Sequence, residues 1–134
     1  NPILVQSETG AAEEHKPTRR VETMVQRIVR DTALGLKVKE LHDYTCQVCG
    51  ERLECVGGPY AEAAHIRPLG APHNGPDALP NLLCLCPNHH VLFDRGAFII
   101  DDLLTVQPNN TPLRTDAGHQ IAAAFLQYPR SLWA

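Results

Sequence analysis

Two half-sites for a metal, Cys46 and Cys49 in "TCQVCG" and Cys86 and His89 in "CPNHH", restrict the fold of this chain more than any other feature. Zinc takes four N or S ligands in a tetrahedron, so the fold must bring these distant segments together. Cys84 competes with Cys86 for the fourth position. The CxxH spacing selects Cys86 as the partner of His89, and Cys84 is assigned to the core. Cys55 lies beyond either half-site and reads as a spare thiol. The plainer alternative for the whole set is free buried cysteines. A thiol redox motif at Cys46 and Cys49 is a third reading, and it lacks the βαβ setting such a motif needs. Five cysteines, an odd count, do not suit a purely disulfide-bonded framework, and a reducing compartment follows.

A metal staple also answers a need. A chain of 134 residues with three Phe, three Tyr and one Trp builds one domain with a modest core. No apolar stretch approaches membrane-spanning length and no signal sequence is recognisable, so a soluble, cytoplasmic protein is expected. The first residue is Asn1 rather than Met, and the chain is expected to be a piece of a longer one. The net charge of −3 is uneven: Glu8, Glu13 and Glu14 precede any basic residue. Residues 16 to 39 then carry Lys16, Arg19, Arg20, Arg27, Arg30, Lys37 and Lys39 against Glu22 and Asp31. That stretch suits a phosphate-facing surface and a solvated helix face equally well.

The opening residues 1–16 show no sustained period and read as a linker or disordered tail, leaving 17–134 as the domain. Val21, Met24, Val25, Ile28 and Val29 recur at helical spacing after Pro17, which predicts an amphipathic basic helix to Arg30. A shorter helix is expected from Leu36 to Asp43, with Val38 and Leu41 inward. "AEAAHI" reads as a strand with His65 near its end, and "PLGAPHNGPDALP", with four prolines and two glycines, as a stiff loop. Leu82 to Leu85 is a short extended stretch, and a helix follows from Pro87 and Asn88 to Gly96. A hairpin over Ala97 to Val106 and a last helix over residues 116 to 128 complete the reading.

The adjacent histidines carry the functional signal. Side chains of neighbouring helical residues point about 100° apart, so His89 and His90 serve two different sites. With His89 assigned to the metal knuckle, His90 is free, and Asp94, one turn later on the same face, can join it in holding a divalent cation. Asp94 has a structural alternative, pairing with Arg95 or capping a turn. His65, on a rigid strand, suits a general base that activates water.

The order His65, Asn81, His90, together with "NLLCLCPNHH", resembles the HNH endonucleases over about residues 44–101. The resemblance implies an α+β fold: a small ββα-metal domain with a structural zinc site and flanking helices. It implies that His65 is the general base, that Asn81 tethers the loop and orients that base, and that His90 binds the catalytic cation, Mg²⁺ or Mn²⁺. Cys46, Cys49, Cys86 and His89 hold structural Zn²⁺ on this reading. Asp94 gains support because nuclease colicins carry a further helix ligand at the corresponding step. DNA is then the substrate, cut to a 5′-phosphate and a 3′-hydroxyl, and cutting both strands calls for two copies.

The longer wording "YTCQVCG", "AEAAHIRPLGAPHNGPD" and "NLLCLCPNHHVLFDRGAFII" resembles HNH modules that follow SRA domains, readers of modified cytosine, in bacterial modification-dependent restriction proteins. An upstream SRA-like reader and DNA containing modified cytosine are the partners this implies. Two departures stand out. Many family members have Asp or His before the first histidine as a cation ligand, and this chain has Ala64. Asp94, waters and phosphate oxygens can compensate, with Glu62 a weaker candidate. His89 also stands where cysteine is commoner, a change zinc accepts. The absent ligand is the best argument for a rival reading, a catalytically silent zinc-stabilised module that binds DNA or protein. His73 reads as a phosphate contact or a turn residue, and His15, His42 and His119 have no partners recognisable in sequence.

Overall fold

The structure, a computed structural model, describes residues 32–133. The expected tail and the expected basic helix from Pro17 to Arg30 lie outside the described residues. The first described element, α1 (Ala33–Leu41), begins three residues before the expected start. It stops because Asp43 and Tyr44 turn left-handed, with φ of 52° and 55°. The Tyr44 N–H closes the end on the Lys39 carbonyl at 2.8 Å, and Val38 is the buried anchor of the helix.

The chain then enters the first cysteine knuckle, whose Gly50 N–H bonds the Cys46 carbonyl at 2.9 Å. Gly50 reaches this at φ 77°, a conformation costly for a residue with a Cβ. Between the two cysteines, Gln47 is fully buried and takes the place of a neighbouring strand. Its backbone N–H donates to the Cys84 carbonyl at 2.9 Å, while its Oε1 accepts from the Cys84 N–H at 2.9 Å. Its Nε2 donates to the Arg114 carbonyl at 2.9 Å. All of these groups are satisfied without water, so the knuckle is fixed against the strand that leads to the second half-site.

A ribbon of β1 (Leu53–Cys55) and β2 (Gly58–Tyr60) follows, with Cys55 opposite Gly58. In sequence, Gly57, Gly58 and Pro59 read only as punctuation. They build the turn and return strand of this hairpin, and Pro59 is tolerated because a two-stranded ribbon consists of edges. The central unit is β3 (Glu62–His65) paired antiparallel with β4 (Leu82–Leu85), then α2 (Pro87–Asp94). Ala64 sits opposite Leu83 and His65 opposite Leu82. Every residue of β4 is buried, which explains why "LLCL" is apolar throughout instead of alternating. Cys86 caps α2 by accepting the His89 N–H, and Pro87 occupies the first turn, where no amide donor is needed.

Beyond α2, β5 (Ile99–Ile100), β6 (Thr105–Gln107) and β7 (Thr111–Pro112) form a three-stranded antiparallel sheet, one strand more than the expected hairpin. The last helix, α3, runs over Ala123–Leu132, not residues 116 to 128. Asp116 accepts the Gly118 N–H at 2.8 Å and forms a local turn, which holds the preceding residues out of the helix. The core joins Leu83 and Leu85 of β4 to Ile66, Phe93, Ile100 and Leu126. Burying such a side chain contributes about 1.5–3 kcal/mol. Among the described residues no helix is long and apolar enough to cross a membrane.

Candidate functional site

The two half-sites meet. Cys46, Cys49, Cys86 and His89 place their ligand atoms within 4.8 Å of one another. The Cys49 and Cys86 sulfurs are 3.9 Å apart, and His89 Nδ1 lies 3.2 Å from Cys86 Sγ. A tetrahedral site with metal–sulfur bonds of about 2.3 Å separates its sulfurs by roughly 3.8 Å, so the donor set and its spacing fit a tetrahedral ion. Burial raises the Cys86 thiol above its ordinary range, a condition that a bound cation reverses by stabilising the thiolate. Cys84 is buried within β4, its thiol pushed up to about 12 by desolvation, and Cys55 is exposed; neither joins the cluster. Phe98 packs its ring edge to His89, with centroids 5.9 Å apart.

His90 turns away from this cluster, as its place next to His89 on α2 requires. It is buried, and two carboxylates flank its ring. Glu62 Oε1, from the start of β3, lies 2.7 Å from Nδ1; Asp94 Oδ2, one turn along α2, lies 3.4 Å from Nε2. Glu62, the weaker candidate on sequence grounds, is therefore the shorter contact. It is also the more enclosed, at 13% side-chain exposure against 43% for Asp94. A proton on Nδ1 donated to Glu62 leaves the Nε2 lone pair facing Asp94, an arrangement suited to one divalent cation between them. The side chain of Ala64 is fully buried in the core and contributes nothing polar.

His65 ends β3 with its Nε2 2.9 Å from Asp77 Oδ1. Among the described residues that is the ring's hydrogen-bond partner, and nothing in the sequence pattern singles out Asp77. The loop that delivers Asp77 is tied at its base by Asn81, which is fully buried. Asn81 Oδ1 accepts the Arg67 N–H at 2.8 Å, and its Nδ2 donates to the carbonyls of Arg67 at 2.9 Å and Pro76 at 2.8 Å. One side chain thus holds the residue two beyond His65 and the residue one before Asp77. Gly75 lies so close beneath Arg67 that a Cβ there would sit 1.9 Å from the Arg67 carbonyl oxygen.

The loop is braced from α3 as well. Arg67 Nε donates to the His73 carbonyl at 2.6 Å, its guanidinium lies 4.4 Å from the Tyr128 ring centre, and His73 Nδ1 meets Tyr128 Oη at 2.5 Å. His42 and His119, without recognisable partners in the sequence, pair with each other at 2.8 Å, and His119 Nε2 donates to the Leu79 carbonyl at 3.0 Å. With that nitrogen protonated, His42 Nε2–H is the donor to His119 Nδ1.

A family model described as HNH endonuclease matches residues 46–101, the stretch that holds both half-sites, His65, Asn81 and His90. Among solved structures, the chain is similar to the modification-dependent TagI restriction endonuclease at 46% identity and a TM-score of 0.72. That match covers 74% of this chain and 36% of the other, so this chain spans little more than a third of that protein's length. A search of curated proteins gave no significant match.

Proposed function

We propose that this chain, whose residues 46–101 match the HNH endonuclease family model, is the nuclease module of a modification-dependent restriction enzyme, hydrolysing DNA phosphodiester bonds with a divalent cation. The observation that carries the reading is that β3 supports two separate imidazole–carboxylate pairs. His65 with Asp77 is suited to proton transfer, and His90 with Glu62 and Asp94 is suited to a cation.

In this reading His65 accepts a proton from water as its oxygen attacks phosphorus. The P–O3′ bond breaks, leaving a 5′-phosphate, and the departing 3′ oxygen takes a proton from solvent. His90 and Asp94 would hold a Mg²⁺ or Mn²⁺ ion, which when bound would supply neutralisation of the charge developing on the phosphate oxygens. Glu62 fixes the His90 ring, and Asn81 keeps the loop after His65 in register. Zn²⁺ in the site of Cys46, Cys49, Cys86 and His89 fastens the knuckle to the start of α2, so its binding free energy becomes folding free energy. DNA is the partner. An upstream SRA-like reader and selection for modified cytosine rest on the longer sequence resemblance and on the similarity to a modification-dependent restriction endonuclease.

The silent zinc-module reading draws on one observation, the buried Ala64 where many relatives carry a cation ligand. End analysis separates the two. Nicked plasmid made by this chain in Mg²⁺ or Mn²⁺ should be religated directly by DNA ligase, which needs a 5′-phosphate beside a 3′-hydroxyl. Nicks that resist ligation refute the proposed chemistry, and DNA left intact while it is bound supports the silent module.

A further inference from the structure

We propose that Asp77 is a positioning residue for His65: it holds the ring in the Nε2–H tautomer, so that Nδ1 carries the lone pair that receives the proton. The inference rests on the nuclease reading and assigns a role to a residue that the sequence analysis does not single out.

The geometry is specific. Asp77 Oδ1 lies 2.9 Å from His65 Nε2, within the range of a charge-assisted hydrogen bond. A carboxylate accepts and does not donate, so the shared proton resides on the imidazole and Nδ1 is left bare. Among the described residues Nδ1 has no hydrogen-bond partner, which leaves it available to a water. The His65 side chain is only 14% exposed, so a ring without this bond would have few alternatives to fix its orientation.

An exposed aspartate usually contributes little, because the entropy of ordering it cancels the gain. Here the backbone is ordered beforehand. Pro76 restricts the residue before Asp77, and the Pro76 carbonyl is bonded at 2.8 Å to fully buried Asn81. The same Asn81 grips Arg67 on both its N–H and its carbonyl, two residues beyond His65. Loop ends that carry acid and base are therefore tied to one another by one amide. When His65 takes a proton, the positive ring remains hydrogen-bonded to the negative carboxylate, which favours the proton-accepting step.

The test is ring ¹⁵N NMR on histidine-labelled protein with metal bound, paired with plasmid nicking rates for the same samples. The intact chain should show His65 as the Nε2–H tautomer. Asp77→Ala should lose that signature and slow nicking about 10- to 100-fold, the range expected for partners of functional histidines. Asp77→Asn, which keeps an acceptor oxygen, should retain the tautomer and recover part of the rate. Asp77 is exposed enough, at 40%, that melting temperatures should stay level across the set. An Asp77→Ala protein with unchanged tautomer and rate overturns the proposal, and if His65→Ala abolishes nicking alongside it, the nuclease reading survives. If His65→Ala also nicks normally, that reading falls as well.

Discussion

Replacing Asn81 by alanine should cost more stability than any other single polar substitution near the site. The side chain is fully buried and makes three hydrogen bonds, one to the Arg67 N–H and two to the carbonyls of Arg67 and Pro76. Truncation leaves one donor and two acceptors unsatisfied, each costing about 1 kcal/mol or more, for a total of about 3–5 kcal/mol. For a folded unit of this size, 1 kcal/mol corresponds to roughly 4–8 °C in Tm, so a fall on the order of 12–40 °C is expected. Asn81→Asp should be no better: it keeps the acceptor for Arg67 but sets an oxygen, and a buried charge, against two carbonyls. Thermal and urea unfolding followed by circular dichroism, on metal-loaded protein, measures both. A loss below about 1 kcal/mol for Asn81→Ala would refute the claim that this amide ties the loop.

Three further outcomes follow from the same geometry. Removing the structural metal with a strong chelator should unfold the domain, seen as loss of circular dichroism and of a cooperative melt; a metal-free chain with an unchanged Tm contradicts the staple. Gly75→Ala forces a Cβ onto the Arg67 carbonyl oxygen, so the loop must move; nicking should fall while α1 and the core keep their hydrogen-exchange protection, and an unimpaired variant would count against a rigid loop. Burial, with His119 beside it, lowers His42 from 6.5 to about 4, so the folded state prefers the neutral ring. Its stabilisation is complete above pH 6.5 and is lost as pH falls toward 4. Allowing for partial exposure this amounts to about 1–2 kcal/mol, and it should shrink in His42→Gln when denaturant midpoints are compared across that window.

The metal half-sites and the ββα core are readable in the sequence because each has a local signature. Cysteine spacing, Pro87 at a helix start and an unbroken apolar β4 need no knowledge of distant residues. The adjacent histidines are separable for the same reason, since helix geometry alone turns their side chains apart. Pairings across the chain are what the sequence does not supply. Asp77 meets His65 only because Asn81 gathers the loop, Glu62 reaches His90 only when β3 packs on α2, and His42 finds His119 over a long separation. The third strand of the terminal sheet and the late start of α3 escape a sequence reading because short strands carry little periodicity and Asp116 diverts its neighbours into a turn.

The central claim, that this chain cuts DNA with His65 as its base, is tested most directly by supercoiled-plasmid nicking in Mg²⁺ or Mn²⁺ at low salt. The comparison is between the intact chain and His65→Ala, with zinc content and melting temperature checked on both. The account predicts divalent-dependent nicking that the substitution abolishes while metal and fold are retained. Equal nicking by both proteins, or none by the folded, zinc-loaded intact chain on plain or cytosine-modified DNA, would contradict it.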